Sequence, residues 1–272
     1  MKGREVRAAL HAGRHVYSTA VIGTSHRWPE ALQHAGCDFV FIDSEHTPLD
    51  RETLAWLCHA YRAANVPPVV RIPSPDPYQA AMVLDGGAGG IIAPYVETAE
   101  QVQGLVAAAR YRPLKGERVK AAVRDASALE QELREYLEQH NADTILIANI
   151  ESLPAMENLD EILSVAGLDA VLIGPHDLSC SLGIPERYDD PKFDMAVRTI
   201  FRQAREHGVG AGIHFWTNID LELSWIRAGG NLIMHGSDLY FFRQQLAGEL
   251  DQIRSALGDS RVADDETDRA TV

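Results

Sequence analysis

FVFIDSEHTPLD, residues 39–50, opens with four apolar residues in a row and closes on acids around one histidine. A strand with one face in water alternates apolar and polar side chains. An unbroken run such as residues 39–42 instead marks a strand buried on both faces. Packing gains nothing from the abrupt turn to Asp43, Glu45 and His46. The stretch therefore predicts a buried strand whose far end does chemistry.

The same signature recurs along the chain, in TAVIG (19–23), VVRI (69–72), GIIAP (90–94), ILIANI (145–150), AVLIG (170–174), GAGIH (210–214) and LIMHG (232–236). Segments with helical spacing lie between these runs, as with Leu129, Leu133, Tyr136 and Leu137. Eight buried strands alternating with helices within about 250 residues predict an α/β fold, a single (β/α)8 TIM barrel. A doubly wound open sheet is the alternative. Thr98 with Gln101 reads as a capping box, and Asp76-Pro77 as a cap followed by proline at the first helical position. DGGAGG (85–90) precedes a strand instead of opening a helix, so it reads as a turn on the stability face and not as a phosphate loop. The barrel is assigned to residues 1–257. The polar segment 258–272, without a periodic face, is predicted to be disordered.

Composition narrows the partners. The formal charge of -14 leaves no basic face for a phosphate backbone, which argues against nucleic acid. The N-terminus carries no signal-peptide run and no later stretch could span a membrane. Cys37, Cys58 and Cys180 show no CxxC spacing and are expected to be buried free thiols in a reducing cytosol, which predicts a cytoplasmic protein.

In a barrel, chemistry gathers where strands end. There the sequence places Asp43, Glu45 and His46, then Arg71, Asn149 and Glu151, His176 and Asp177 in GPHDLS, His214, and finally His235, Ser237 and Asp238. Glu151 and Asp177 end neighbouring strands. Two carboxylates brought together repel unless a proton or cation separates them, and oxygen-only ligands suit a hard divalent ion. Helix capping or salt bridging is the plainer alternative for both. Arg71 either pairs with a strand-end acid such as Asp43 or holds a substrate carboxylate or oxyanion through its planar fork. His46 is either a satisfied loop histidine or a general base, with Asp43 three residues away to hold its tautomer. None of Lys2, Lys115, Lys120 and Lys192 falls at a strand end, so a Schiff-base mechanism is disfavoured. GxSxG and GxGxxG motifs are absent.

FVFIDSEHTPLD, VVRIPSPDP, GIIAPYVETAEQVQGLVAAARYRP, IESLPAMENLDEIL and GLDAVLIGPHDLSCSLG together resemble the HpcH/HpaI aldolase family of metal-dependent pyruvate aldolases, from about residue 18 to about 240. The resemblance implies a class II aldolase that reversibly cleaves a 4-hydroxy-2-oxo acid to pyruvate and an aldehyde. It implies a divalent metal cation, Mg2+ or Mn2+ with Co2+ as a third candidate, held by Glu151 and Asp177 with Glu45 behind it. His46 would be the base, oriented by Asp43, and Arg71 would hold the keto or enolate oxygen. Gly174 and Pro175 would line the pyruvate pocket. Asn149 stands where many members carry glutamine. Asp85 corresponds to an aspartate that reaches a neighbouring subunit's histidine, a turn residue being the alternative, and His176 is read as a helix cap. The family implies a homo-oligomer, usually a hexamer. The segment near 117–140 replaces a shorter Arg/Gly-rich loop that helps choose the aldehyde in relatives. Two other functions stay open: a CoA-thioester lyase of the citrate or malyl-CoA type, for which no basic patch is evident, and a non-catalytic oxo-acid-binding barrel, which would need no general base.

Overall fold

The computed structural model describes residues 1–259. Eight parallel strands close into a barrel in sequence order: β1 (Val16–Val21), β2 (Phe39–Asp43), β3 (Pro68–Arg71), β4 (Gly90–Ala93), β5 (Ile145–Asn149), β6 (Ala170–Ile173), β7 (Gly210–Phe215) and β8 (Leu232–Ser237). The open-sheet alternative is thereby excluded. The expected strands match closely except the first, which begins at Val16 because exposed Tyr17 interrupts its apolar run.

Period-two alternation sorts each strand's residues. Phe39 and Phe41 point into the barrel with Val69, Ile92, Ile145, Ile147, Leu172 and Met234, whereas Val40, Ile42, Val70 and Ile91 pack outward against the helices. Continuing the inward parity upward places Asp43, Arg71 and Asn149 in the topmost layer, where apolar filling gives way to polar groups. The helix α1 (Gly3–His11) closes the opposite end by burying Val6, Ala9 and Leu10 against the inward cluster. Burying its valine and leucine stabilises by about 2 kcal/mol each.

Between β1 and β4 run α2 (Trp28–Ala35), α3 (Arg51–Ala63) and α4 (Pro77–Asp85). After β4, α5 (Ala99–Arg110) starts at the predicted Thr98/Gln101 capping box, and Asp76 caps α4 as expected. The segment ahead of β5 forms two further helices, α6 (Gly116–Arg124) and α7 (Gln131–His140). This is a helix-to-strand connection, so it lies at the N-terminal end of the barrel. The strand-end acids sit at the other end of the barrel. Then follow α8 (Leu153–Glu157), α9 (Leu159–Leu163), α10 (Pro175–Ser181), α11 (Pro191–Glu206), α12 (Ile219–Arg227) and α13 (Asp238–Leu257). Gly258 ends α13 in a left-handed conformation. The remainder of the predicted disordered segment, 260–272, lies outside the described residues.

All three cysteines are free, but only Cys58 is buried; Cys37 is half-buried and Cys180 exposed, contrary to expectation. Cys180 ends up outside because it faces solvent on the short α10. Among the described residues, no helix is long and apolar enough to cross a membrane.

Candidate active site

Asp43 and Arg71 are register partners on β2 and β3. Their side chains meet as a fork on a carboxylate: Nε donates to Oδ1 at 2.9 Å and Nη2 to Oδ2 at 2.7 Å. Burial opposes charge on both, but their mutual contact prevails, holding Asp43 below the usual carboxylate range and Arg71 above its own. Bidentate charge-assisted pairs are among the stronger polar contacts a protein makes. The pairing expected as the plain role of Arg71 is thus real, and it occupies the Nε–Nη2 edge of the guanidinium. The Nη1 edge makes no hydrogen bond among the described residues, leaving it for an incoming oxyanion.

Asp43 does not hold the His46 ring. It accepts the backbone N–H groups of Glu45 (3.0 Å) and His46 (3.4 Å), shaping the loop. The acid beside the ring is Glu45, whose Oε2 is 3.7 Å from His46 Nε2 and 3.1 Å from Arg71 Nε. Asp43 thus pairs with the arginine and shapes the loop backbone, and Glu45 stands between arginine and histidine. The imidazole is half-exposed, open to a ligand from the barrel mouth.

Glu151 lies just beyond β5, 8% exposed. Its Oε1 accepts the Tyr95 N–H at 2.7 Å, and its Oε2 accepts Asn149 Nδ2 at 3.0 Å. Asn149 therefore positions the glutamate, and its own Oδ1 is buried without a partner. Burial pushes Glu151 above the usual carboxylate range, and the charges of Asp177 and Glu45 add to the shift. Asp177 sits in the first turn of α10, where Gly174 is the N-cap and Pro175 the first helical residue. A Cβ on Gly174 would stand 2.9 Å from Glu151 Oε2 and 3.3 Å from Asp177 Oδ2. The two carboxylates thus converge on the hollow that this glycine leaves open.

Neither acid has a lysine or arginine within ion-pair distance among the described residues; the nearest basic group is His176 Nδ1, 4.0 Å from Asp177. His176 also lies 3.9 Å from Glu186, so its ring braces acids at the rim instead of capping the helix. Glu151 and Asp177 fit a hard divalent cation: two oxygen donors, mutual repulsion, and a cradle between them. No third His, Cys, Asp or Glu completes a cluster among the described residues. Mg2+ ordinarily takes one or two carboxylates and fills its octahedron with water and substrate, which matches this donor set.

Several strand-end residues turn out to be scaffold. His214 packs edge-on against Phe41 and donates to the Gly236 carbonyl; burial pushes it down to about 4, so it is neutral. His235 pairs with Glu222 at 2.7 Å. Ser237 caps α13, and Asp238 accepts the Ile22 and Gly23 N–H groups. Asp85, the last residue of α4, lies at the N-terminal end and contacts Arg112 at 3.4 Å, so it takes no part in its own chain's site. Sequence reasoning missed Tyr95. It follows β4 with a left-handed φ of 55°, strain of roughly 1–2 kcal/mol for a non-glycine residue, and its backbone N–H donates to Glu151. Its signal is conformational, and APYV in the sequence does not announce it.

Comparison with known proteins agrees with this geometry. The profile of the HpcH/HpaI aldolase/citrate lyase family matches residues 21–244. The chain belongs to that family. It is 33% identical to the 2-keto-3-deoxy-L-rhamnonate aldolase of Escherichia coli (strain K12) over 233 residues, 86% of each chain. Its fold is similar to the HpcH/HpaI aldolase from Desulfitobacterium hafniense DCB-2 (TM-score 0.78, 27% identity, 92% of this chain and 96% of that one). It is equally similar to the citrate synthase SbnG (TM-score 0.79, 30% identity, 93% and 99%). Membership in the family makes this chain an enzyme of the aldolase/lyase group.

Proposed function

We propose that this protein is a class II aldolase that cleaves a 4-hydroxy-2-oxo acid to pyruvate and an aldehyde, and runs the reverse addition. The observation that carries this is the pair Glu151 and Asp177, converging without a cationic partner beside Gly174 and flanked by Arg71 and His46. When bound there, a divalent cation supplies Lewis-acid polarisation of the keto group and neutralises enolate charge, worth several kcal/mol. The preferred ions are Mg2+ or Mn2+, with Co2+ also compatible.

The chain's own residues do the rest. Pro175 and the backbone of Gly174 shape the floor against which the oxo acid lies. His46 takes the proton from the C4 hydroxyl; the C3–C4 bond breaks as the C4 carbonyl forms, and its electrons pass into the C2–C3 enolate. Arg71, held flat by Asp43, offers its Nη1 edge to the enolate oxygen, which by analogy with single oxyanion donors adds about 3 kcal/mol. The proton returns from His46 to C3, giving pyruvate. A positioned base of this kind contributes about two to four powers of ten.

The test is lactate-dehydrogenase-coupled pyruvate release from a panel of 4-hydroxy-2-oxo acids, before and after EDTA and after added Mn2+. Release that disappears with chelation and returns with metal is expected. Full activity in EDTA would sink the proposal. Likeness to a protein named citrate synthase supports a related enolate reaction as the second reading, a lyase on a CoA thioester; malyl-CoA cleavage without any oxo-acid cleavage would select it.

We further propose a homo-oligomer, a hexamer by family. α13 buries only Asp238 and leaves Leu239, Phe242, Leu246, Leu250 and Ile253 exposed, a stripe too apolar to remain solvated.

A further inference from the structure

The short helix α8 begins two residues after Glu151 and is tied to both acids of the candidate cation site. Its five residues make little more than one turn, too few to hold a helical shape without outside contacts. Glu97, half-buried in the loop after β4, supplies contacts at both ends. Its Oε1 accepts the Ser152 hydroxyl at 2.6 Å, and its backbone carbonyl accepts Asn158 Nδ2 at 2.9 Å. Ser152 is the N-cap of α8 and Asn158 the C-cap. Ser152 Oγ also accepts the Ala155 N–H at 3.2 Å, so its one proton is free to go to Glu97, which locks the cap in place. Glu97 is held in turn by the α5 capping box, where Gln101 Oε1 accepts its N–H at 2.7 Å.

Both acids are reached through this helix. Ser152 follows Glu151 directly, and Glu151 Oε1 accepts the N–H of Tyr95, two residues before Glu97. Segment 95–97 therefore grips Glu151 twice, by its carboxylate and by the turn behind it. On the other side, the Leu153 N–H at the start of α8 donates to Ser181 Oγ at 2.9 Å. Ser181 is the last residue of α10, which carries Asp177 in its first turn.

We propose that Glu97 is a positioning residue: through Ser152 and α8 it sets the spacing between Glu151 and Asp177, and with it the size of cation the pair accepts. The inference rests on the aldolase reading, in which those two acids hold the metal. Glu97 is not itself a ligand, since no third acid joins the pair among the described residues. Spacing selects between ions because Mg2+ demands oxygens at roughly 2.0–2.1 Å in a strict octahedron, whereas Ca2+ takes them flexibly at roughly 2.3–2.6 Å.

The test is displacement of bound Mn2+ by Mg2+ and by Ca2+, followed by electron paramagnetic resonance, beside thermal melting of the metal-free protein. Glu97→Ala removes the acceptor. Its Mg2+ affinity is expected to fall about tenfold, with Ca2+ affinity within about twofold of wild type. Glu97→Gln keeps an oxygen for the Ser152 hydroxyl and is expected to retain both affinities. Each variant should melt within about 4 °C of wild type, as fits the loss of one hydrogen bond. Ser152→Ala cuts the same link from its other end, so the test stands even where Glu97→Ala does not fold. It should lower Mg2+ affinity in the same way, and adding Glu97→Ala should lower it no further. Equal losses of Mg2+ and Ca2+ affinity, no loss of either, or losses that add in the double variant would overturn the assignment and leave the aldolase reading intact. A wild type that binds no Mn2+ would overturn the metal-dependent reading, and this inference with it.

Discussion

The barrel buries a carboxylate at each end, and the two are driven in opposite directions. At the N-terminal end, Asp169 is fully buried and ringed by cations: Arg7 Nε and His11 Nε2 each at 3.0 Å from Oδ1, and Arg110 against Oδ2. The Leu146 N–H also donates to it. Burial alone would raise its pKa; the surrounding cations, Arg110 foremost, bring it down to about 2. At the C-terminal end, Glu151 is nearly as buried, but its neighbours are Asp177 and Glu45, and it is pushed up instead. A buried acid whose charge is fully answered by the chain is scaffold. One whose charge is left unanswered among other acids is a place where something outside the chain completes the balance.

The comparison breaks most visibly if the scaffold acid is removed. Asp169→Ala leaves Arg7 and Arg110 part-buried without their counter-charge and unties α1 from the barrel. A loss of about 3–5 kcal/mol is expected, seen as a melting temperature lower by roughly 10 °C. Glu151→Ala should do the reverse. It removes repulsion, so the melting temperature should stay level or rise, while metal-dependent pyruvate release should fall about a thousandfold. Matching stability losses at the two positions would dissolve the distinction. Arg71→Lys keeps the charge but replaces the fork on Asp43 with a point contact. A drop in kcat of about a hundredfold, with a smaller change in melting temperature, is expected from steady-state kinetics beside a melt.

The smallest effect is in pH. Asp169 titrates at about 2 folded against an ordinary 3.8, so its contribution is fully present above about pH 4 and drains away as the pH falls toward 2. That contribution is roughly 2 kcal/mol. His11 is shifted the other way, raised chiefly by its hydrogen bond to Asp169, so its share is full below its ordinary 6.5 and is lost as pH rises through the raised value. Urea denaturation of the wild type should show both slopes, and an Asp169→Asn variant should flatten them.

Much of this was legible in the sequence because burial on both faces leaves a linear trace. FVFID marks β2 residue for residue, and the same runs locate the other strands to within a few positions. The acids at the ends of β5 and β6 stood out because nothing in strand packing requires them. What stayed hidden was pairing and conformation. Spacing in the chain offered Asp43 both to His46 and to Arg71, and only cross-strand register decides that its carboxylate goes to Arg71, 28 residues away. Tyr95 depends on a φ angle, and Asp169 on cations from α1 and α5 that only the closed barrel brings together. His214, His235 and Asp238 looked functional at their strand ends, yet each has its partners inside the scaffold.

The most direct measurement is a titration of the wild type and Glu151→Gln with Mn2+, followed by electron paramagnetic resonance, with and without pyruvate. The account predicts one Mn2+ per chain, bound more tightly when pyruvate is present, and loss of most of that binding in Glu151→Gln. Equal Mn2+ binding by the two proteins, or tight binding indifferent to pyruvate, would contradict it.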